Sequence, residues 1–219
     1  MLSLLYKELL LIRRQLLLGL AFILLFIFAF QSLEEKMFIA AVMPVAYLLA
    51  MTSCACEEKN RGDILLNSLP LSRKAVVLAK YITLVLLFLV ASLFYYILYL
   101  AINAAGISLR AYPITIEGLL IAFLAVAFMN SVYFPFYFKL GYIKSRMLFF
   151  VVFLAAFAGI AAISNYLAAH QGEPWVRQML NFFAALPQPA AIVLLVGFSL
   201  LILLISYGIS LYFYTRREF

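Results

Sequence analysis

Six long apolar runs, separated by short polar segments, make up most of this chain of 219 residues. A helix needs about 20 apolar residues to cross the hydrocarbon core of a bilayer, and it satisfies its backbone hydrogen bonds within the segment. The runs therefore predict an all-α polytopic membrane protein with six transmembrane helices. Because the connections are too short for a folded extramembrane domain, we expect residues 1–219 to form a single membrane domain. The predicted spans are residues 16–33, 37–56, 78–101, 116–138, 147–168 and 190–214.

Composition and charge agree with a chain that is solvated mainly by lipid. Hydrophobic residues make up 68% of the sequence and charged residues 11%, which is far from the balance of a soluble domain. Cytoplasmic flanks carry Lys and Arg in excess, and all but three of the 16 here fall on one side of the predicted spans. Both termini are therefore expected in the cytoplasm. The net charge of +7 lies at the span ends, where it suits anionic lipid headgroups better than nucleic acid.

The first 15 residues precede the first predicted span and show the pattern of an amphipathic helix. Their apolar side chains recur at helical spacing on one stripe: Leu2, Leu5, Leu9 and Ile12. Their cations cluster on a neighbouring face: Lys7, Arg13 and Arg14. Leucines that enter the acyl boundary below cations in the headgroups are typical of an interfacial helix. The pattern thus predicts an N-terminal elbow helix on the membrane surface, and a loose Leu-rich cytoplasmic tail is the alternative.

The longest inner connection, residues 57–77, is the most informative segment outside the spans. Gly62 and Asp63 provide a break and an N-cap, a short apolar helix follows, and Pro70 prevents its continuation. Ser72 is then expected to cap the third span. The apolar side chains of the short helix could be buried among lipid headgroups or in a groove of a soluble partner, and periodicity does not decide between the two. These side chains are Ile64, Leu65, Leu66 and Leu69.

Two further connections carry features of interfacial segments. The inner connection 139–146 is a short basic turn, with Gly141 as a candidate hinge and Tyr142 as a candidate anchor. The outer connection 172–189 has aromatic and aliphatic residues at helical spacing after Pro174, which predicts a helix on the outer interface. An outer loop with an aromatic belt is the alternative for that segment.

Residues suited to catalysis, metal binding and nucleotide binding are scarce. His170 is the only histidine and Asp63 the only aspartate, which excludes an aspartyl dyad and multi-Asp metal sites. No phosphate-binding G-x-x-x-x-G-K-[ST] loop is present. Cys54 and Cys56 are too few for a zinc site. We therefore expect no catalytic site, no metal site and no cofactor bound by this chain.

The predicted spans are almost entirely apolar. No Asp, Glu, Lys or Arg is expected at mid-depth of a span, which disfavours proton-coupled antiport and charge-lined channels. The mildly polar side chains that remain, such as Ser131 and Ser210, serve helix packing more often than a transport path. We therefore expect these side chains to hold neighbouring helices together.

The stretch EEKNRGDILLNSLPLSRKAVVLAKY, residues 57–81, resembles the small six-span permease subunits of bacterial ABC-2 type exporters. In that family a charged segment after the second span leads into a short helix, a Ser-Leu-Pro-x-Ser-Arg turn and a Lys-Tyr start of the third span. The six-span pattern and the amphipathic amino-terminal segment extend the likeness over the whole chain. The matching residues here are Ser68, Leu69, Pro70, Ser72, Arg73, Lys80 and Tyr81.

The resemblance implies a permease in the bacterial cytoplasmic membrane that dimerises, with itself or with a related permease. It also implies two copies of a separate ABC ATPase, which would bind ATP and Mg²⁺. Residues 57–70 would then form the coupling helix region and residues 139–146 a second contact, while residues 37–56 and 147–168 would line the dimer interface and path. The implied ATPase-coupling residues are Glu57, Glu58, Lys59, Arg61, Asp63, Ile64, Leu65, Leu66, Ser68, Leu69, Pro70, Lys139, Tyr142 and Lys144.

The resemblance further implies an exported cargo, which we expect to be a hydrophobic or amphipathic peptide. Family members of this size include exporters of phenol-soluble modulins and of bacitracin-like or lantibiotic peptides, which serve toxin export or immunity. Spans without charge suit such a cargo better than a sugar or an ion. The alternatives are an ATP-independent carrier or channel for hydrophobic small molecules or lipids and, less favoured, an intramembrane enzyme that uses His170.

Overall fold

The computed structural model describes residues 2–60, 62, 72–105, 109, 111–170, 173–178 and 187–216. Within these residues the regular structure is entirely helical, so the all-α prediction is confirmed. A 3₁₀ segment, Gln31–Lys36, connects the second and third helices. The helices in chain order are α1 Leu2–Leu11, α2 Arg13–Ala29, α3 Met37–Lys59, α4 Arg73–Ala105, α5 Ile116–Leu140, α6 Tyr142–Ala169 and α7 Gln188–Thr215.

Several of these helices are long and apolar enough to cross a membrane. Within the described residues, four meet this criterion: α3, α4, α5 and residues Pro189–Thr215 of α7. The segments Leu4–Leu11 and Arg13–Ala29, which are bent by 60° at their junction, meet it together as a fifth. The protein is therefore a polytopic helical membrane protein.

The helix ends differ from the predicted span ends at the charged side. Helix α3 continues to Lys59, and α4 already begins at Arg73, so Glu57, Glu58 and Lys59 belong to the last turn of α3 and not to the connection. The prediction placed the span ends where the apolar runs stop. The helices are longer than these runs, because a helix forms its backbone hydrogen bonds internally and can therefore continue outside the hydrocarbon core. The prediction for Ser72 is confirmed, since its Oγ accepts the N–H of Ala75 at 3.3 Å.

Helix α3 lies at the centre of the packing and contacts α2, α4 and α5. Helix α5 packs most extensively on α7. Helix α6 packs mainly on α5, and it meets α3 through stacking of Phe149 on Tyr47, with ring centroids 4.9 Å apart. Large apolar side chains elsewhere on α6 are exposed, among them Phe150 and Leu154. Such side chains suit contact with lipid or with another membrane helix.

A chain of hydroxyl groups connects α4, α7 and α5. Ser206 donates its only hydroxyl hydrogen to the Ser131 carbonyl at 2.7 Å, so the Tyr81 hydroxyl must be the donor in its 2.6 Å bond to Ser206. Ser210 then donates to Tyr81 at 2.8 Å. The prediction that the Ser210 side chain serves helix packing is confirmed by its contact with Tyr81. The Ser131 side chain instead donates to the Phe128 carbonyl within α5, and only the Ser131 backbone carbonyl takes part in the contact between helices.

We expect Tyr81→Phe to lower the free energy of unfolding by about 1 kcal/mol, since interhelical hydrogen bonds in membrane proteins average roughly 0.6 kcal/mol each and this change removes two. Thermal unfolding of the purified protein in detergent measures the effect. Tyr96→Phe on the same helix is the matched control, because the Tyr96 side chain is exposed. Equal midpoints for the two variants would contradict a stabilising role for the hydroxyl chain.

Candidate functional site

Four ionised side chains meet at the charged end of the bundle, and the buried Lys80 of α4 lies at their centre. Its Nζ lies 2.7 Å from Oε2 of Glu8 on α1 and 2.7 Å from Oε2 of Glu57 on α3. Ser53 Oγ accepts a further hydrogen bond from Lys80 at 3.1 Å. The residues Glu8, Glu57 and Lys80 are each only 3–4% exposed. We call Lys7, Glu8, Glu57 and Lys80 the ion-pair cluster.

The remaining contacts leave no carboxylate of the ion-pair cluster without a cation. Lys7 Nζ lies 2.6 Å from Oε1 of Glu57 and 3.4 Å from Oε1 of Glu8. Tyr137 of α5 donates to Glu57 at 3.3 Å, and Ser53 donates to Glu8. Two lysines and two glutamates make the cluster electrically neutral. Burial of these charges is tolerable because each is paired and hydrogen-bonded.

The ion-pair cluster holds α1 against the bundle, which corrects part of the prediction for the amino-terminal segment. Ile12 is fully buried, and Leu5 and Leu9 pack against the protein core, where the sequence placed them in the acyl boundary. Lys7, predicted on the wet face, is half-buried in its ion pairs. The amphipathic pattern identifies an apolar stripe correctly, but it does not say whether lipid or protein covers the stripe. Arg13 and Arg14 are exposed, as expected.

A second contact connects the two segments that were assigned to ATPase coupling. Glu58 on the last turn of α3 accepts the backbone N–H of Tyr142, the first residue of α6. The carboxylate thereby satisfies one of the free N–H groups at a helix amino terminus and interacts favourably with the helix dipole. The ends of α3 and α5 and the start of α6 therefore meet at one point.

Gly141 makes this contact possible. It ends α5 with φ at +81° and ψ at 178°, a combination that is essentially restricted to glycine. A Cβ atom at this position would lie 2.9 Å from Oε2 of Glu58. Gly141, predicted as a hinge, is thus a tightly packed turn residue against which the Glu58 carboxylate rests.

The carboxyl end of α7 joins the same surface. Arg73 Nη1, at the start of α4, donates to the Thr215 carbonyl at 2.7 Å. Lys139 Nζ lies 4.8 Å from the centre of the Phe213 ring. Arg73 and Lys139, which the sequence placed on the same side of the membrane, therefore lie together beside the carboxyl end of α7.

The coupling residues predicted from the sequence differ in accessibility. Glu57 is buried in the ion-pair cluster, so its side chain stabilises the end of α3 and is not accessible to a partner protein. Glu58 and Tyr142 are half-buried, and Lys59, Lys139 and Lys144 are exposed. The other predicted coupling residues lie outside the described part of the chain: Arg61, Asp63, Ile64, Leu65, Leu66, Ser68, Leu69 and Pro70.

The sequence analysis missed Glu8 and Ser53, and it named Lys80 as part of the Lys-Tyr start of the third span without predicting that this lysine is buried in ion pairs. Glu8 follows Leu4 by four residues and precedes Ile12 by four, so it occupies the apolar stripe of α1. An acidic residue on an apolar stripe needs a buried cation, and this signal could have indicated the ion-pair cluster.

The described residues contain no group of three or more His, Cys, Asp and Glu side chains arranged to hold a metal ion. Cys54 is buried, Cys56 is half-buried, and both are free thiols.

Comparison with known protein families identifies the family of this chain. The family described as "ABC-2 family transporter protein" matches residues 3–215, which is nearly the whole chain. Comparisons with curated proteins and with solved structures gave no match. The chain therefore belongs to the ABC-2 transporter family, as the membrane-embedded permease subunit of an ABC transporter that works with a separate ABC ATPase subunit.

Proposed function

We propose that this permease exports hydrophobic or amphipathic peptides from the bacterial cytoplasm, in toxin export or in immunity. It works as a dimer, with itself or with a related permease, and two ATPase copies bind ATP and Mg²⁺ for it. Each permease crosses the cytoplasmic membrane six times with both termini inside, so the charged end of the bundle faces the ATPase. In this arrangement α1 is the elbow helix, and Arg13 and Arg14 contact the lipid headgroups.

The contact between Glu58 and Tyr142 is the observation that carries this proposal. Residues 57–70 and 139–146, which we propose to be the two ATPase contacts, are far apart in the sequence. Through Glu58, the end of α3 is held directly against the start of α6. A displacement of either contact therefore moves both α3 and α6. Helix α3 contains residues 37–56 and α6 contains residues 147–168, the two segments that we propose to line the path.

The ion-pair cluster joins further helices to the pair α3 and α6 that we propose to move together. Because Glu8, Glu57 and Lys80 are buried and mutually paired, α1, α3 and α4 shift together when the ATPase acts on the end of α3. Closure of the ATPase pair on ATP would then move this unit between inward-facing and outward-facing arrangements. Such a switch requires that the ATPase contacts differ in free energy between the two states.

The distribution of charge supports the cargo class. The buried ion pairs among Lys7, Glu8, Glu57 and Lys80 lie at the charged end of the bundle. Exposed side chains along α6 and α7 are predominantly large and apolar, including Phe150, Leu154 and Leu204. A path bordered by such helices suits a cargo that carries its own apolar face.

Co-purification with the ATPase tests the coupling assignment. We expect Leu65→Asp combined with Leu66→Asp to abolish association, because charges would replace the apolar face of the proposed coupling helix. Asn103→Asp is the control, since Asn103 is exposed at the opposite end of α4. If the leucine variant retains the ATPase as well as the control does, residues 57–70 are not the docking segment.

Reconstitution separates the exporter from an ATP-independent carrier. Proteoliposomes that contain the permease and its ATPase should accumulate an amphipathic peptide only with ATP and Mg²⁺. Flux of the same peptide through vesicles that contain the permease alone would overturn the exporter proposal and favour a carrier or channel.

A further inference from the structure

The guanidinium of Arg73, in the first turn of α4, binds the carboxyl end of α7. Its Nη1 donates to the Thr215 carbonyl at 2.7 Å and to the Tyr214 carbonyl at 3.3 Å. Carbonyls in the last turn of a helix have no partner within the helix, and a cation near them interacts favourably with the helix dipole. The last turn of α7 contains no basic residue of its own, and Arg216 beyond it lies over the Tyr212 ring. The cation at the end of α7 is therefore supplied by α4.

The end of α7 that Arg73 binds is also packed into the bundle. Tyr214 is only 3% exposed, and its ring meets the Phe138 ring edge-on, with centroids 5.2 Å apart. Phe138 belongs to the last turn of α5, directly before the turn at Gly141. The carboxyl end of α7 is thus held from two sides, by the start of α4 and by the end of α5.

A second attachment between α4 and α7 lies further along both helices. The Tyr81 hydroxyl is hydrogen-bonded to Ser206 at 2.6 Å and to Ser210 at 2.8 Å. Tyr81 follows Arg73 by eight residues, which corresponds to about 12 Å along a helix. Because two attachments this far apart prevent α7 from pivoting about either one, α4 and α7 move as one body.

We propose that Arg73 is a positioning residue of the transport cycle, through which a displacement of α4 by the ATPase reaches α7. This role rests on the proposed function. Arg73 lies three residues beyond the proposed coupling segment, residues 57–70. Its acceptors are main-chain carbonyls, so the displacement acts on the backbone of α7 and does not depend on a side-chain rotamer there.

The same contact connects the two proposed ATPase contacts by a second route, besides the bond between Glu58 and Tyr142. Helix α7 packs most extensively on α5, so α5 moves with α7. Residues 57–70 are therefore connected to α7 through Arg73, and residues 139–146 are connected to it through α5. The route adds α5 and α7 to the helices that respond to the ATPase.

Hydrogen–deuterium exchange of the purified permease in detergent tests the contact without any ATPase. Arg73→Met retains most of the side-chain length but has neither a donor nor a charge. We expect the backbone amides of residues 211–215 to exchange about tenfold faster in this variant, as the loss of one hydrogen bond from a charged group would give. Lys74→Met is the matched control, because Lys74 is an exposed cation in the same turn. Equal exchange in the two variants would overturn the role of Arg73.

The coupling step is tested in proteoliposomes that contain the permease with its ATPase. The quantity measured is the amount of amphipathic peptide transported per ATP hydrolysed. We expect this ratio to fall about fivefold in Arg73→Met and to stay at the wild-type value in Lys74→Met, which is a modest coupling between sites. A purely structural role would lower transport and hydrolysis in proportion and leave the ratio unchanged. An unchanged ratio in Arg73→Met would therefore overturn the proposal.

Arg73→Lys replaces Arg73→Met if the methionine variant does not accumulate. The shorter lysine keeps the positive charge at the end of α7 but reaches the carbonyls less well, so its ratio should still lie below the wild-type ratio. Equal ratios would overturn the proposal. Failure of the proposed function gives a different result, because the wild-type complex itself would then transport no peptide or would transport it without ATP. That result would overturn the coupling role as well, while the exchange measurement would still decide whether Arg73 holds α7.

Discussion

Lys80→Met is expected to destabilise the folded permease by about 3–5 kcal/mol, which is the cost of removing one partner from a buried ion pair. The substitution leaves the carboxylates of Glu8 and Glu57 buried with only Lys7 to pair with. Both glutamates are at most 4% exposed, so water cannot replace the lost ammonium group. We expect the variant to be nearly absent from membrane fractions, or to unfold at a much lower temperature in detergent.

Two further variants identify the cause of this loss. Lys74→Met removes an exposed cation from the first turn of the same helix and should leave stability within about 0.5 kcal/mol of the wild type. Combining Lys80→Met with Glu8→Gln and Glu57→Gln removes the uncompensated charges, so it should recover much of the stability. If Lys80→Met unfolds at the same temperature as Lys74→Met, the ion-pair cluster does not hold the helices together.

The ion-pair cluster shows which features of the fold could be predicted and which could not. Apolar runs define helices because the lipid environment imposes both their length and their composition. The pairing of Glu8 with Lys80 joins positions 72 residues apart and depends on how α1 packs, which no local pattern contains. Hydropathy also assigned Glu57 to a connection, since a charged residue ends an apolar run even where the helix continues.

The proposed coupling surface could be outlined from the sequence for a similar reason. Positive charges on one side and a basic turn at residues 139–146 are visible in the sequence, and they are the basis on which this end of the bundle is proposed to face the ATPase. The interaction between Glu58 and Tyr142 could not be predicted, because a backbone N–H has no sequence signature. Gly141 was recognised as special, but a glycine can provide either flexibility or a backbone conformation closed to other residues. Its φ of +81° and its packing against Glu58 show that Gly141 provides a backbone conformation closed to other residues.

Gly141→Ala is therefore expected to disconnect the proposed ATPase contacts from the membrane helices. The added methyl group would have to occupy space 2.9 Å from the Glu58 carboxylate, in a conformation that costs an L-residue about 1–3 kcal/mol. The turn would relax by moving away from α3, and the hydrogen bond from Tyr142 to Glu58 would be lost. We expect ATP-dependent transport to fall at least about tenfold, since about 1.4 kcal/mol of lost coupling corresponds to a factor of 10, while the protein remains folded.

Transport and ATP hydrolysis, measured together in proteoliposomes, distinguish lost coupling from lost assembly. Gly141→Ala should retain the ATPase and its basal hydrolysis while transport per ATP falls. Gly197→Ala is the matched control, because Gly197 lies within α7, outside the proposed path and ATPase contacts, and a Cβ atom there meets nothing within 4 Å. Glu58→Gln should give a milder defect than Gly141→Ala, since the amide oxygen can still accept the Tyr142 N–H without the charge that favours the helix amino terminus. Wild-type transport in Gly141→Ala would mean that the two proposed ATPase contacts act independently.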